Sequence, residues 1–322
     1  MTAIPDISVV MGVYNNADTL PAALDSILSQ EGVALEFIVV DDGSTDGSAA
    51  ILDAAAKKDV RLKVVHKQNE GLTRALIDGC ALAAAPWIAR QDADDVSLPG
   101  RLTAQLARAR QADAPVLVGC GSRTLAPAGE ILAEFHPPAE SAAAAQRVLE
   151  EGQAIAPHGA IFFRRDAYEK TGGYRAAFFY AQDIDLTTRL AELGPVAGVS
   201  RILFEYRLSP SAITARHGKD QRAFYRLIRR GRGLRRQGRP EQSLLAEADR
   251  LSRKCLAHQG RRRNLFEFHY FIGAYLLKQN HPHARGYLEK AIQSRPWSPK
   301  AWIRWLQARR SAARGPVGEA IR

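Results

Sequence analysis

The chain has 322 residues, 46% of them hydrophobic, enough to bury a full core and carry an appended segment. No run of about 18 apolar residues occurs, and Met1 to Asp6 lacks the basic start and apolar stretch of an export signal, so a cytoplasmic chain is expected rather than a membrane-spanning one. The net charge of +11 is unevenly divided, with 28 Lys and Arg against 8 Asp and Glu in residues 201–322 and 17 against 26 before them, which predicts two modules, 1–215 and 216–322, with different partners.

Over the first 120 residues, short β-rich runs alternate with helical patterns, the signature of a parallel sheet covered by helices. Strands are predicted at Ile7 to Met11, Glu36 to Val40, Leu62 to Val65, Trp87 to Arg90 and Val116 to Val118. Helices are predicted at Leu20 to Ser29, Gly47 to Lys57, Leu72 to Ala83 and Arg101 to Ala109. In open sheets of this kind ligands sit at the carboxyl ends of the strands, so the polar loops there are where chemistry is expected. From Pro127 to Arg175 the pattern weakens to a helix at Ser141 to Glu151 and a strand at Ala160 to Phe163. A helix begins near Gln182 with Leu186, Leu190 and Leu193 on one face, and Val196 to Val199 and Ile202 to Tyr206 return to extended chain.

Beyond Ser209 the signal is helical. A dense basic helix at Arg222 to Arg239 is followed by helices over Glu241 to His258, Asn264 to Lys278, Ala284 to Ser294 and Lys300 to Ala308. Phe268, Phe271, Tyr275, Ala284, Leu288, Ala291 and Pro296 fall at the spacings of one tetratricopeptide repeat, with Trp302 at the start of a next; an ordinary helical hairpin accounts for them equally. Cys80, Cys120 and Cys255 form no Cys-x-x-Cys pair and read as free, buried thiols.

Four polar segments carry candidate chemistry. Val13-Tyr14-Asn15-Asn16 follows the first strand and Asp41-Asp42-Gly43-Ser44-Thr45-Asp46-Gly47 the second. A planar base can stack on Tyr14 while the Asp42 carboxylate accepts its N–H groups; a turn with a helix N-cap would explain the second segment as well. After the fourth strand comes Gln91-Asp92-Ala93-Asp94-Asp95. Acids packed this closely repel unless a cation neutralises them, and hard oxygen ligands suit Mg²⁺ or Mn²⁺ with positions left for diphosphate oxygens. Finally, Asp183 in Gln182-Asp183-Ile184-Asp185 falls in the first turn of a helix, where negative charge is stabilised. It is a candidate general base for an acceptor hydroxyl, or an N-cap.

Taken together and in order, these residues resemble the family 2 glycosyltransferases of GT-A fold over about residues 6–210. The resemblance rests on Ser8 to Asn15, Val39 to Asp46, Asn69-Glu70-Gly71-Leu72, Ala89 to Asp95 with Pro99 and Arg101-Leu102, and His158-Gly159-Ala160 leading to Gly172-Gly173-Tyr174 and Gln182-Asp183. It implies a Rossmann-like mixed sheet flanked by helices, followed here by an all-α C-terminal region. It also implies transfer from a nucleotide-diphospho-sugar, with a UDP-sugar favoured, to a saccharide or lipid-linked saccharide acceptor in cell-surface polysaccharide or glycolipid synthesis. Position by position, Tyr14 and Asp42 would hold the base, Asp92 the ribose or metal region, and Asp94 the Mg²⁺ or Mn²⁺. Asp183 would be the base of an inverting displacement, and His158 and Gln182 would lie on the acceptor side.

Two positions depart from the pattern. Met11 stands where many members have proline, and Gln182 replaces a glutamate common before the catalytic aspartate. The Gln-x-x-Arg-Trp motif of processive polymerases is absent, so one sugar per encounter is expected. Arg222, Arg226, Arg229, Arg230 and Arg236 could face an anionic leaflet, or belong to a solvated domain; nothing in the catalytic segment calls for nucleic acid. The rival for the whole chain is an inactive scaffold on the same fold working through its helical tail, and it predicts loss of acids that are all present here.

Overall fold

The protein, seen in a computed structural model, is described over residues 4–138, 154–209, 213–257 and 265–312, together with Ala143 and Arg147. The helix expected at 141–151 therefore lies almost wholly outside the described residues. In chain order the elements are β1 (Ile7–Val13), α1 (Leu20–Leu28), β2 (Leu35–Asp41), α2 (Ser48–Ala56), β3 (Leu62–His66), α3 (Leu72–Ala81), β4 (Trp87–Asp92), β5 (Val96–Ser97), α4 (Arg101–Ala109), β6 (Leu117–Leu125) and β7 (Ile131–Phe135). A 3₁₀ turn (His158–Ala160) leads to β8 (Phe162–Arg164), α5 (Arg165–Lys170), α6 (Gln182–Leu190) and β9 (Val196–Arg207). Helices follow: α7 (Ile213–Arg236), α8 (Gln242–Ala257), α9 (Leu265–Lys278), α10 (Ala284–Ser294) and α11 (Pro299–Ala312).

Every residue of β1 and β2 is buried, as expected of parallel strands covered on both faces. The strands alternate their side chains between two cores. Val9, Phe37, Val39 and Phe162 enter one, with Leu20, Leu52 and Leu102 from the helices; Val10, Ile38 and Phe163 enter the other, with Leu76, Leu186 and Phe204. Burying side chains of this size contributes about 1.5–3 kcal/mol each, so the paired cores fix which face each strand presents. Helix α3 comes so close to β1 that a Cβ on Gly79 would lie 2.7 Å from Val10, which is why glycine stands there.

Among the described residues the sheet has nine strands in the order β3-β2-β1-β4-β8-β6-β9-β5, with β7 paired to β6. Strands β1 to β4 are mutually parallel, whereas β8 is antiparallel to both β4 and β6. The fifth predicted strand is thus not the direct neighbour of the fourth. The Phe162-Phe163 pair inserts between them, burying one ring on each face and stacking Phe162 on Trp87 with centroids 5.1 Å apart. The two extended runs expected near residues 196 and 202 are one strand, β9, because pairing carries the backbone through its exposed Ser200 and Arg201. Helix α6 stops before Leu193, which a Leu193 N–H to Leu190 carbonyl turn of 2.9 Å leaves 48% exposed ahead of Gly194-Pro195.

The chain forms two compact units. The first comprises Met1–Thr124, Ala133–Arg207 and Lys219–Gln259, the second Leu125–Leu132, Leu208–Gly218 and Gly260–Arg322. In the first, Phe224, Leu227 and Ile228 of α7 and Leu244 of α8 close a cluster around Phe178, Tyr180 and Ile184. In the second, α9 and α10 form the expected helical hairpin, packed through Ile272, Leu276, Ala284 and Leu288. All three cysteines are free and buried, as read from the sequence. No helix among the described residues is long and apolar enough to cross a membrane.

Candidate active site

The loops after β1 and β2 start side by side, where Asp42 N donates to the Val13 carbonyl at 2.8 Å. Side chains then lace them together: Asn15 N donates to Ser44 Oγ at 3.1 Å, Asn15 Oδ1 accepts from Thr45 N at 2.7 Å, and Asn16 N donates to Ser48 Oγ at 3.0 Å. Asn15 makes the reversal with φ of 54°, a left-handed conformation that asparagine tolerates. Beside it the Tyr14 ring stands 48% exposed.

Turn and cap duties in the second loop fall to its other acids. Asp41 Oδ1 accepts from Ser44 N at 3.1 Å, and Asp46 Oδ1 accepts from Ser48 N at 2.9 Å. Asp42 instead reaches the loop before α3, where its two oxygens accept from Glu70 N at 2.9 Å and Gly71 N at 2.7 Å. Its carboxyl is raised above the ordinary value by burial, against the pull of those two amides. Asn69-Glu70-Gly71-Leu72, recognisable in sequence only as a motif, is thereby the third wall of the same pocket.

At the end of β4, Asp92 lies in register with Gly12 of β1. Arg90, fully buried, donates to the Val10 and Gln91 carbonyls at 2.5 and 2.8 Å and to Asp92 Oδ1 at 2.5 Å. Arg101, also fully buried, donates to Gln91 Oε1 at 3.1 Å, Ser97 Oγ at 2.7 Å and the Arg90 carbonyl at 2.8 Å, and lies 5.0 Å from the centroid of Phe204. Burial lowers it to about 10, which leaves it cationic at neutral pH. These arginines brace the loop through neutral acceptors and Asp92, and neither pairs with Asp94 or Asp95 among the described residues.

The consequence is two carboxyl groups whose ionisation is disfavoured, with the charge of Arg207 pulling both the other way. Asp94 is pushed up to about 6 by burial first and by the charge of Asp92 second. Asp95 is completely buried and raised well above its ordinary value for the same reasons; its Oδ1 accepts from Arg207 N at 2.9 Å, but its Oδ2 has no partner. Oxygen donors, mutual repulsion and an orphaned buried oxygen together fit a hard divalent cation. Among the described residues no three His, Cys, Asp or Glu side chains are arranged to hold a metal alone, so such an ion would need oxygens from its ligand.

The remaining candidates meet on the far side of Asp92. A Cβ on Gly159 would lie 3.0 Å from Asp92 N and Oδ2, so only glycine lets the turn carrying His158 rest there. His158 Nε2 lies 2.7 Å from Tyr174 Oη and 3.4 Å from Arg90 Nε. Because arginine only donates, Nε2 accepts and the ring proton sits on Nδ1. Burial and then the charge of Arg90 lower the His158 pKa, which agrees with a neutral ring.

His158 and Asp183 line a small cavity of about 10 Å³, room for about one water, with Ile155, Ile184 and Thr187. Asp183 is delivered there by a left-handed Ala181, φ 58°, a strained start for α6 that costs on the order of 1 kcal/mol. Asp185, two residues on, is spent: Arg175 grips both its oxygens, and Arg189 Nη2 donates to Oδ2 at 2.6 Å. Gln182 is buried and is not among the cavity-lining residues. So Tyr14, Asp42, Asp92 and Asp94 gather at the carboxyl edge of β1, β2 and β4, and Arg90 links Asp92 to the cavity of His158 and Asp183. Arg90 and Arg101 were missed as site residues, although an arginine inside the apolar run Trp87-Ile88-Ala89 was the visible signal.

Residues 8–172 match the family described as Glycosyl transferase family 2. The chain belongs to that family. It is 35% identical over 198 residues to the glycosyltransferase EpsE of Bacillus subtilis, covering 60% of this chain and 69% of that one. It is 40% identical over 115 residues to the succinoglycan biosynthesis protein ExoO of Rhizobium meliloti, where the match spans 36% of this chain and 33% of ExoO. Among solved structures, S. aureus TarS 1–349 superposes with a TM-score of 0.56 at 13% identity, covering 96% and 91% of the two chains. Mannosyltransferase PcManGT from Pyrobaculum calidifontis, in complex with GDP-Man and Mn²⁺, superposes at 0.52 with 19% identity, covering 97% of this chain and 81% of that one. The expected GT-A fold, a mixed sheet flanked by helices with a helical C-terminal region, is therefore the fold of this family 2 glycosyltransferase.

Proposed function

We propose that the chain moves a single sugar from a nucleotide diphosphate donor, a UDP-sugar by preference, to an acceptor hydroxyl with inversion, in the synthesis of a cell-surface polysaccharide or glycolipid. Tyr14 stacks on the base and Asp42 accepts its N–H groups; Asp92, held by Arg90, faces the ribose and metal region. Asp94 contributes the principal protein oxygen to Mg²⁺ or Mn²⁺, which when bound neutralises the diphosphate leaving group. Asp183 takes the proton of the acceptor hydroxyl as that oxygen bonds to the anomeric carbon, and the bond from that carbon to the diphosphate oxygen breaks with its electron pair leaving on the nucleotide. His158 shapes the acceptor side, whereas Gln182 is buried outside the Asp183 cavity and backs it only from the start of its helix.

The observation that carries this reading is the pair of buried acids Asp94 and Asp95, with Asp95 Oδ2 unpartnered, beside an Asp92 that Arg90 ties to His158, the neighbour of an Asp183 that has no arginine partner among the described residues. The naming of EpsE and ExoO supports a polysaccharide context, and the Mn²⁺ and GDP-Man of PcManGT support a metal and a nucleotide-sugar. The basic helices are read as a peripheral contact with an anionic membrane at the cytoplasmic face. The test is a screen of nucleotide sugars with and without Mn²⁺, followed by NMR of the product's anomeric centre. Inverted configuration with metal-dependent turnover is expected; retained configuration would remove Asp183 as base.

A further inference from the structure

Between α7 and α8, within the first unit, runs a groove of about 400 Å³ whose floor is largely apolar and whose rim is cationic. Arg226 and Arg230 project into it from α7, and Arg250 and Lys254 from α8; each pair is spaced i, i+4, which sets both members on one helix face. Leu251 and Ala223 form the accessible floor, above Leu227, which is 3% exposed and belongs to the Phe178 cluster. The one acid in the lining, Glu247, is taken by Arg230 at 2.8 Å. Among the described residues Arg226 and Arg250 have no such counter-charge, and residues 221–240 contain no Asp or Glu at all.

Like charges at this spacing cost the fold a little and gain it nothing. They make sense when an anion sits between them, and the apolar floor narrows which anion. A soluble phosphate would use only the rim, whereas an amphiphile uses rim and floor together. The same pair of helices exposes Leu256, an apolar side chain suited to contact with acyl chains. We infer that this groove seats the phosphate headgroup of an anionic phospholipid, with the root of the acyl chains against Leu251 and Ala223.

This deepens the reading of a membrane-apposed transferase and rests on it. It adds a mechanical consequence. The adjoining face of α7 packs Phe224 against Phe178 and Tyr180, with ring centroids 6.0 and 6.1 Å apart, immediately before the residues that deliver Asp183. A leaflet held by the groove is held at a fixed place relative to Asp183 of the same unit.

The test is co-sedimentation of the full chain with phosphatidylcholine vesicles made with and without phosphatidylglycerol, at low and high salt. Wild type should bind only the anionic vesicles, and less at high salt. Arg226→Gln with Arg250→Gln should weaken binding about thirtyfold, the effect of two cations near a leaflet. Arg239→Gln with Lys278→Gln, which removes the same charge outside the groove, should lose only a few-fold, and Arg226→Lys with Arg250→Lys should retain binding. Equal losses in the two neutralised pairs would overturn the groove while leaving membrane contact standing; a wild type indifferent to phosphatidylglycerol would sink the membrane reading itself. Loss of a short single-stranded oligonucleotide from the groove variant, with vesicle binding intact, would overturn the lipid in favour of nucleic acid.

Discussion

Two short acidic segments, Asp92-Ala93-Asp94-Asp95 and Gln182-Asp183-Ile184-Asp185, look alike as strings and are treated in opposite ways by the fold. In the second, Arg175 and Arg189 converge on Asp185 and convert it into a buried structural pair, while Asp183 is left in the cavity. In the first, the buried arginines Arg90 and Arg101 spend their hydrogen bonds mostly on carbonyls, Gln91 and Ser97, and hydrogen-bond neither Asp94 nor Asp95, which only the charge and backbone N–H of Arg207 offset from β9. A buried acid beside an arginine is architecture; a buried acid that arginine side chains leave unpaired is strained until a ligand arrives. The contrast identifies the working carboxylates better than acid content does, and it can be broken by substitution.

The largest effect is expected at Asp183. Asp183→Asn should retain binding of the nucleotide donor and lose about 10²- to 10⁴-fold in turnover, the usual contribution of a positioned general base. Full activity in that variant would end its assignment. Next is Asp94→Asn, for which kcat/KM should fall on the order of 10³-fold as metal-assisted neutralisation of the leaving group is lost. Without metal the same variant should melt no lower than wild type, because a carboxyl already pushed up to about 6 by burial and by Asp92 is strained when ionised. A marked drop in its metal-free melting temperature would show that Asp94 is structural after all.

Asp185→Asn should behave in the reverse sense. Removing one partner from a buried pair costs about 3–5 kcal/mol, here by leaving the guanidinium groups of Arg175 and Arg189 without their carboxylate. Chemical denaturation should register that loss, while turnover per folded molecule stays within a few-fold. If turnover instead collapsed with stability unchanged, the division of labour between the two aspartates would be inverted.

Much of this was legible in the sequence because the strands announce themselves by burial on both faces. Ile7 to Met11, Glu36 to Val40 and Trp87 to Arg90 all sit inside observed strands, and Arg101 to Ala109 is a helix with the expected limits. Tyr14 after β1 and the acids after β2 and β4 are legible for the same reason, since strand ends in such sheets collect ligands. Order along a chain does not give order across a sheet, so the insertion of β8 between β4 and β6 was out of reach: Phe162-Phe163 signals a strand but not its neighbours. The division between Asp183 and Asp185 was half visible, because Arg189 stands four residues after Asp185, the helical spacing of an ion pair. Arg175 arrives from a preceding turn and could not be read.

A third acidic pair, Asp41-Asp42, sharpens the contrast at the smallest scale. Asp42 is held by amide N–H groups alone, whereas Asp41 Oδ2 meets His66 Nδ1 at 2.8 Å and the far side of that ring meets Asp53 at 3.1 Å. The Asp41 and Asp53 carboxylates raise His66 above its ordinary 6.5. As pH rises, the unfolded chain releases this proton first, and the folded chain holds it longer. The stabilisation is therefore fully present below the unfolded value and is lost as pH rises through the raised folded one. Since the ring is partly exposed, the effect should stay below about 1 kcal/mol. Melting curves of wild type and His66→Gln should differ most at mildly acid pH, with wild type the more stable, and converge at alkaline pH. A constant gap across that range would mean that His66 acts by packing, and Asp41 would then owe its place to Ser44 alone.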